Sequence, residues 1–177
     1  MKQFGGKVTK ALKERYAQSR NWDGSKFVNL EVTTMNLSFQ NIPKLLYKQL
    51  CQREGREPKS PLPVLPFDKE AFLAPSEKAK FIWYGHSALL VRIHNKTLLI
   101  DPMLGPNASP IAPFATKRFS ENTLDLIDQF PAIDAVLFSH DHYDHIDLDS
   151  LKRLLPKTTQ YLVALGVGRH LIHWGVK

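Results

Sequence analysis

Apolar positions are irregular over the first 60 residues and become orderly after residue 80. In the first part the pattern predicts two short helices, over residues 9–17 and 43–53, the second mixing Leu45, Leu46 and Leu50 with Lys48 and Gln49. Four prolines then fall between Pro58 and Pro66. Proline cannot donate a backbone hydrogen bond, so residues 61–80 read as an extended linker after an N-terminal extension covering residues 1–60. From residue 81 onward, short runs of aromatic and branched residues predict strands over 81–84, 88–93 and 98–100. The last two form a hairpin across the polar turn His94, Asn95 and Lys96. Residues 101–119 carry Pro102, Pro106, Pro110 and Pro113 and read as a structured loop of the kind that borders a site. Ser120 offers a cap to a helix whose stripe Leu124, Ile127 and Phe130 is closed by Pro131. A buried strand over 134–139, a helix over 149–155 capped at Asp149, a strand over 160–164 and a helix over 167–174 complete an α/β alternation.

The chain has 177 residues, within the usual one-domain range of about 100–200, and its 43% hydrophobic and 23% charged content suits a packed core rather than a disordered chain. Net charge is +7, unevenly spread: residues 1–60 hold 12 Lys and Arg against 5 Asp and Glu, whereas residues 61–177 hold 12 of each. The basic arm is therefore either a solvated surface or a peripheral contact with an anionic membrane. The balanced remainder offers no phosphate-tracking surface, which argues against nucleic acid as a partner. Cys51 has no partner for an internal disulfide, no apolar run approaches the ~18 residues of a membrane span, and the basic start has no apolar signal core. A cytoplasmic location is expected.

The predicted strand over 134–139 delivers the chain into Ser139, His140, Asp141, His142, Tyr143, Asp144, His145, Ile146 and Asp147. Neutral imidazole and ionised carboxylate are natural ligands for zinc and similar ions. His140 and His142, two apart in an extended segment, project the same way and form a chelating pair. Asp144 and His145 follow in a turn that can aim them at a second ion nearby. So many ligands directly after an apolar strand have no packing rationale, and strand ends are where α/β folds place chemistry. Asp141 and Tyr143 alternate to the other side and are not expected to be ligands.

The H-x-H-x-D-H run, preceded by Trp83, Tyr84, Gly85, His86 and Ser87 and by the LLIDP stretch of residues 98–102, resembles the metallo-β-lactamase superfamily of dinuclear metal hydrolases. Residues 101–119 together with 133–147 are similar to the branch containing the N-acylphosphatidylethanolamine-hydrolysing phospholipase D. Residues 81–165, roughly half the chain, carry the resemblance. It implies the first half of an αββα sandwich over residues 81–177, with the partly helical extension before it. It implies that His140 and His142 serve one metal site and Asp144 and His145 a second, with Asp144 also taking part in catalysis. Asp101 is expected to accept a hydrogen bond from a ligand histidine, His86 to lie beside the metals, and Asp147 to start a helix or support a ligand.

The resemblance also implies two divalent ions, zinc first, with manganese or iron as alternatives. The superfamily's further histidines and bridging aspartate have no match here. His170 and His173 fall in the predicted helix 167–174 and are not convincing substitutes. A second polypeptide or a C-terminal half is therefore expected to supply them. The implied activity is hydrolysis by a metal-bound hydroxide, phosphodiesterase or phospholipase D-like, on a small-molecule or lipid ester. A lactonase or other ester or amide hydrolase is the alternative, and a noncatalytic half-domain binding subunit is the alternative of another class.

Overall fold

The computed structural model describes residues 3, 5–31, 42–51, 55, 57–109 and 116–177. Pro110, Pro113 and Arg53, which figure in the expected loop and second helix, lie outside the described residues. The chain divides into two compact units, one formed by Thr9–Leu62 and the other by Met1–Val8 with Pro63–Lys177.

In the unit Thr9–Leu62, helix α1 (Lys10–Tyr16) begins where the Thr9 hydroxyl accepts from Leu12 N at 3.2 Å. Tyr16, Trp22 and Phe27 then pack ring against ring with centroids 5.0 to 5.3 Å apart. Asp23 makes the turn between the last two, its Oδ1 accepting from Ser25 N and Lys26 N at 2.8 Å. Helix α2 (Ile42–Cys51) follows. Among the described residues no helix is long and apolar enough to cross a membrane.

The other unit is built on a five-stranded sheet in sequence order: β1 (Lys80–Trp83), β2 (Leu89–Ile93), β3 (Lys96–Ile100), β4 (Ala135–Phe138) and β5 (Tyr161–Val163). The first three are antiparallel and the last two are added in parallel. His94 and Asn95 both have left-handed backbone, φ 46° and 60°, the conformation that a two-residue hairpin needs to match strand twist. One sheet face carries Leu90, Leu99, Val136 and Phe138 into a core completed by Ile127, Phe130, Leu151, Leu154 and Leu171. On the opposite face Phe81, Trp83 and Leu162 are 65%, 68% and 45% exposed. The architecture is the mixed α/β one expected of the metallo-β-lactamase fold.

Several local expectations are corrected. Residues 61–80 are more than an extended connector: helix α3 (Lys69–Leu73) is capped by Asp68, and Phe72 is buried, with Phe67 bridging it to Phe130. A five-residue helix is too short to show a periodicity. The helix expected from Ser120 starts only at a 3-10 turn (Thr123–Asp125) before α4 (Leu126–Gln129). Asn122 sits at φ 56° and interrupts it, while Thr123 spends its hydroxyl on the Leu104 carbonyl at 2.7 Å. Lysines finish both short helices: Lys80 Nζ donates to the carbonyls of Ala71 and Ala74, and Lys157 Nζ to those of Ile127, Asp128 and Phe130. The cap of α5 (Leu148–Leu154) is Asp147 rather than Asp149, its Oδ1 accepting from Asp149 N at 3.0 Å and Ser150 N at 2.8 Å. Helix α6 (Gly168–His173) closes the unit.

Candidate metal centre

The parallel pairing of Leu98–Ile100 with Ala135–Leu137 brings the ends of β3 and β4 out side by side. Asp101 and Ser139 therefore leave the sheet at the same edge, where a mixed α/β sheet offers a site. Asp101 N donates to the Leu137 carbonyl at 2.9 Å, and Ser139 N donates back to Asp101 Oδ1 at 2.7 Å. After Ser139 the motif runs outward and turns at residues 143–145. His145 N and Ile146 N both donate to the His142 carbonyl at 3.0 Å, and Ile146, 1% exposed, plugs the turn into the core.

Asp101 holds two imidazoles from behind. Its Oδ2 accepts from His145 Nδ1 at 3.0 Å, so the His145 proton is spent there and its Nε2 lone pair faces outward. The same oxygen accepts from the Ser139 hydroxyl at 2.7 Å, and Ser139 Oγ lies 2.9 Å from His140 Nδ1. This relay gives His140 the same tautomer as His145. Burial, and then the neighbouring His145 and His142 imidazoles, push the His140 imidazole below its ordinary pKa and favour the neutral form that ligates. Ser139 heads the motif in the sequence with no role of its own expected there. Its position just before the first histidine, at a strand end, is the signal that could have found it.

The structure brings His86, Asp144 and His145 together, with one ligand atom of each lying within 4.8 Å of the others. His86 Nε2 is 3.1 Å from Asp144 Oδ2 and 3.3 Å from His145 Nε2. His86, expected beside the metals, thus belongs to the converging donor set itself. The His140 ring lies 3.9 Å from that of His145 and 4.6 Å from that of His142, centroid to centroid. All four motif residues read as ligands are neighbours.

Backbone strain gathers at the same place. His86 (φ 46°) and Asp101 (φ 41°) are non-glycine residues in the left-handed region. The His86 turn is pinned by Trp83 Nε1, which donates to its carbonyl at 2.9 Å. Arg118 reaches beneath the turn, donating to the Tyr84 carbonyl and, at 2.8 Å, to the Met103 carbonyl. No local pattern marks this arginine's role, because it acts across 34 positions of chain.

Asp147 and Asp141 face elsewhere. Asp147 is buried at the start of α5, with Oδ2 unpartnered among the described residues, and burial raises its carboxyl pKa. Asp141 turns to α6, where the His170 hydrogen bond, with the charge of Arg169, holds its carboxyl well below the usual range. His170 is thereby engaged with Asp141.

The donor set fits a divalent cation on its own chemistry. With His145 Nδ1 committed to Asp101, the His145 Nε2 lone pair and the Asp144 carboxylate oxygen face His86 Nε2 across about 3 to 4 Å. Electron-rich atoms so close repel unless a proton or a cation lies among them.

The beta-lactamase superfamily domain profile matches residues 96–177. A little under half of the chain is thus similar to that superfamily's domain. A 161-residue stretch is 32% identical to an uncharacterized protein of Mycobacterium tuberculosis, covering 90% of this chain and 42% of that protein. The N-acyl-phosphatidylethanolamine-hydrolyzing phospholipase D 1 of Caenorhabditis elegans is 32% identical over 96 residues, 53% of this chain and 27% of that one. A UPF0173 metal-dependent hydrolase of Saccharolobus solfataricus is 36% identical over 80 residues, 45% of this chain and 30% of its own length. The chain spans less than half the length of these relatives.

Proposed function

We propose that this chain contributes the strand-end half of a dinuclear metal centre in a hydrolase of the phosphodiesterase, phospholipase D-like kind. The observation that carries the reading is the convergence of His86, Asp144 and His145 beside the edge-to-face His140 and His142 rings. His140 and His142 would hold one ion, Asp144 and His145 the other, with His86 beside them. The chemistry such ions would supply is a lowering of the pKa of bound water toward about 7 and neutralisation of charge developing on an attacked phosphoryl or carbonyl group.

The chain's own residues do the positioning. Asp101 holds the Nδ1 proton of His145, and Ser139 relays the same restraint to His140, so both rings present Nε2 to the site. Asp144, with its side chain 36% exposed, keeps an oxygen within reach of His86 and open to a substrate proton. The phosphodiester reading is supported by similarity to a phospholipase D-named relative, and the metal dependence by a relative named as a metal-dependent hydrolase. Polypeptide outside these 177 residues would supply the remaining ligands and cover Phe81, Trp83 and Leu162; the greater length of the relatives supports this. Zinc is the first candidate metal, with manganese or iron next.

Elemental analysis and substrate profiling of the full-length protein test the proposal. About two ions per assembled site, with hydrolysis of a phosphodiester such as bis(p-nitrophenyl) phosphate or an N-acyl phospholipid, is the expected result. Turnover of lactones in its place would favour the alternative hydrolase, and absence of stoichiometric metal would favour a noncatalytic binding subunit. Peripheral contact with anionic membranes through exposed Lys10, Lys13 and Arg15 belongs to the same proposal. Reversing those three charges should lower sedimentation with phosphatidylserine vesicles, each charge contributing about 1 kcal/mol. Undiminished sedimentation would exclude the arm.

A further inference from the structure

Between the two histidines read as a chelating pair, one side chain turns away from the site. Asp141 Oδ2 accepts from Arg169 Nη2 at 3.1 Å and from His170 Nε2 at 3.3 Å, both on α6. The donors are fixed in turn. Arg169 Nε donates to the Gly6 carbonyl at 3.1 Å and Nη1 to the Gly166 carbonyl at 2.5 Å. A Cβ on Gly5 would fall 1.6 Å from His170 Nδ1, and one on Gly6 would fall 2.3 Å from the Arg169 carbonyl oxygen. Only glycine lets the N-terminal segment approach α6 so closely. Arg169 and His170 side chains are 20% and 15% exposed, so the clamp is largely shielded on the helix side.

Successive side chains in an extended segment point to opposite sides, so whatever fixes residue 141 fixes the direction of 140 and 142 together. Charge-assisted hydrogen bonds from a guanidinium are among the stronger and more directional restraints available. We propose that Asp141 is a positioning residue for the metal centre: clamped by Arg169 and His170 against the Gly5 and Gly6 segment, it presets the backbone from which His140 and His142 project. This rests on the metal-centre reading above. It assigns α6 and the chain's first residues a part in the site without requiring either to touch metal, and it gives His170 a task other than ligation.

The test compares wild type, D141A, D141N, R169A and the D141A/R169A pair in the full-length protein. Zinc affinity is read by competition with a chromogenic chelator. Amide exchange at His145 and Ile146, whose N–H groups both bond the His142 carbonyl, is read on metal-free protein. D141A and R169A should each weaken zinc binding by about tenfold or more and speed exchange by a similar factor. The double variant should be no worse than the poorer single, because both remove one interaction. D141N, which keeps an acceptor, should recover part of the affinity. Wild-type exchange in both D141A and R169A overturns the clamp, as do fully additive losses in the pair. A wild type that binds no zinc overturns the metal reading, and the exchange rates then decide the clamp by themselves. If D141A does not fold, R169A and D141N carry the same comparison.

Discussion

Asp101 and Asp147 stand at the two ends of the motif loop and are almost equally buried, at 4% and 3% exposed, yet their surroundings are opposite. Asp101 accepts from a backbone N–H, a hydroxyl and an imidazole, so both oxygens are engaged. Asp147 spends one oxygen on the first turn of α5 and leaves the other without a partner among the described residues. A buried carboxylate is tolerable when donors replace its lost water, and costly where they do not. Position in the sequence does not distinguish the two. The first orients candidate ligands, whereas the second stops the loop and starts a helix.

That contrast can be broken most sharply at Asp101. Replacing it with Ala should cost about 3 kcal/mol in urea unfolding, since it strands a buried N–H and two charge-assisted partners, and should weaken zinc binding by about 100-fold. A loss below about 1 kcal/mol would remove Asp101 from the centre of the arrangement. S139A keeps the charge but cuts the relay to His140. About 1.5 kcal/mol and about tenfold in zinc affinity are expected, read by the same two measurements.

At the other end, D147A should cost about 1 kcal/mol through the lost helix cap, whereas D147N, which can still cap and carries no charge, should stay within about 0.5 kcal/mol of wild type. Equal damage from D147N and D101N would erase the distinction between the two carboxylates. The smallest effect is expected at the sheet's far end. Lys96, then Thr97 N–H, hold the Asp134 carboxyl below its ordinary value of 3.8. Its folded form releases the proton more readily than the unfolded one. The stability it contributes is therefore present above that value and lost as pH falls below it. D134N should cost about 0.5 kcal/mol at pH 6, with the difference from wild type vanishing near pH 2 in acid-unfolding curves.

The parts of this unit legible in sequence are those with local causes. The apolar runs of β2 and β4 announce buried strands, and His140, His142, Asp144 and His145 lie so close in the chain that any turn keeps them together. The polar pair His94 and Asn95 likewise marks a hairpin by itself. What escaped has distant causes. Ser139 gains its role only because β3 pairs with β4 and brings Asp101 beside it. Arg118 and Arg169 act on carbonyls and carboxylates far away in sequence, whereas His86, which meets Asp144 and His145 from 58 and 59 positions away, was expected near the site through the family resemblance alone. Local backbone geometry decides the rest: Asn122 interrupts its helix through a left-handed angle that composition does not reveal, and of the two aspartates offered for the start of α5 it is Asp147 that caps.

The pairing of Leu98, Leu99 and Ile100 with Ala135, Val136 and Leu137 works as a ruler. One residue inserted on either side before Asp101 or Ser139 would exchange the buried and outward sides of that strand and carry the aspartate away from the serine. Length variation among natural homologues should therefore be frozen across these six positions and concentrated in the connection between the two strands, where added residues leave the count intact.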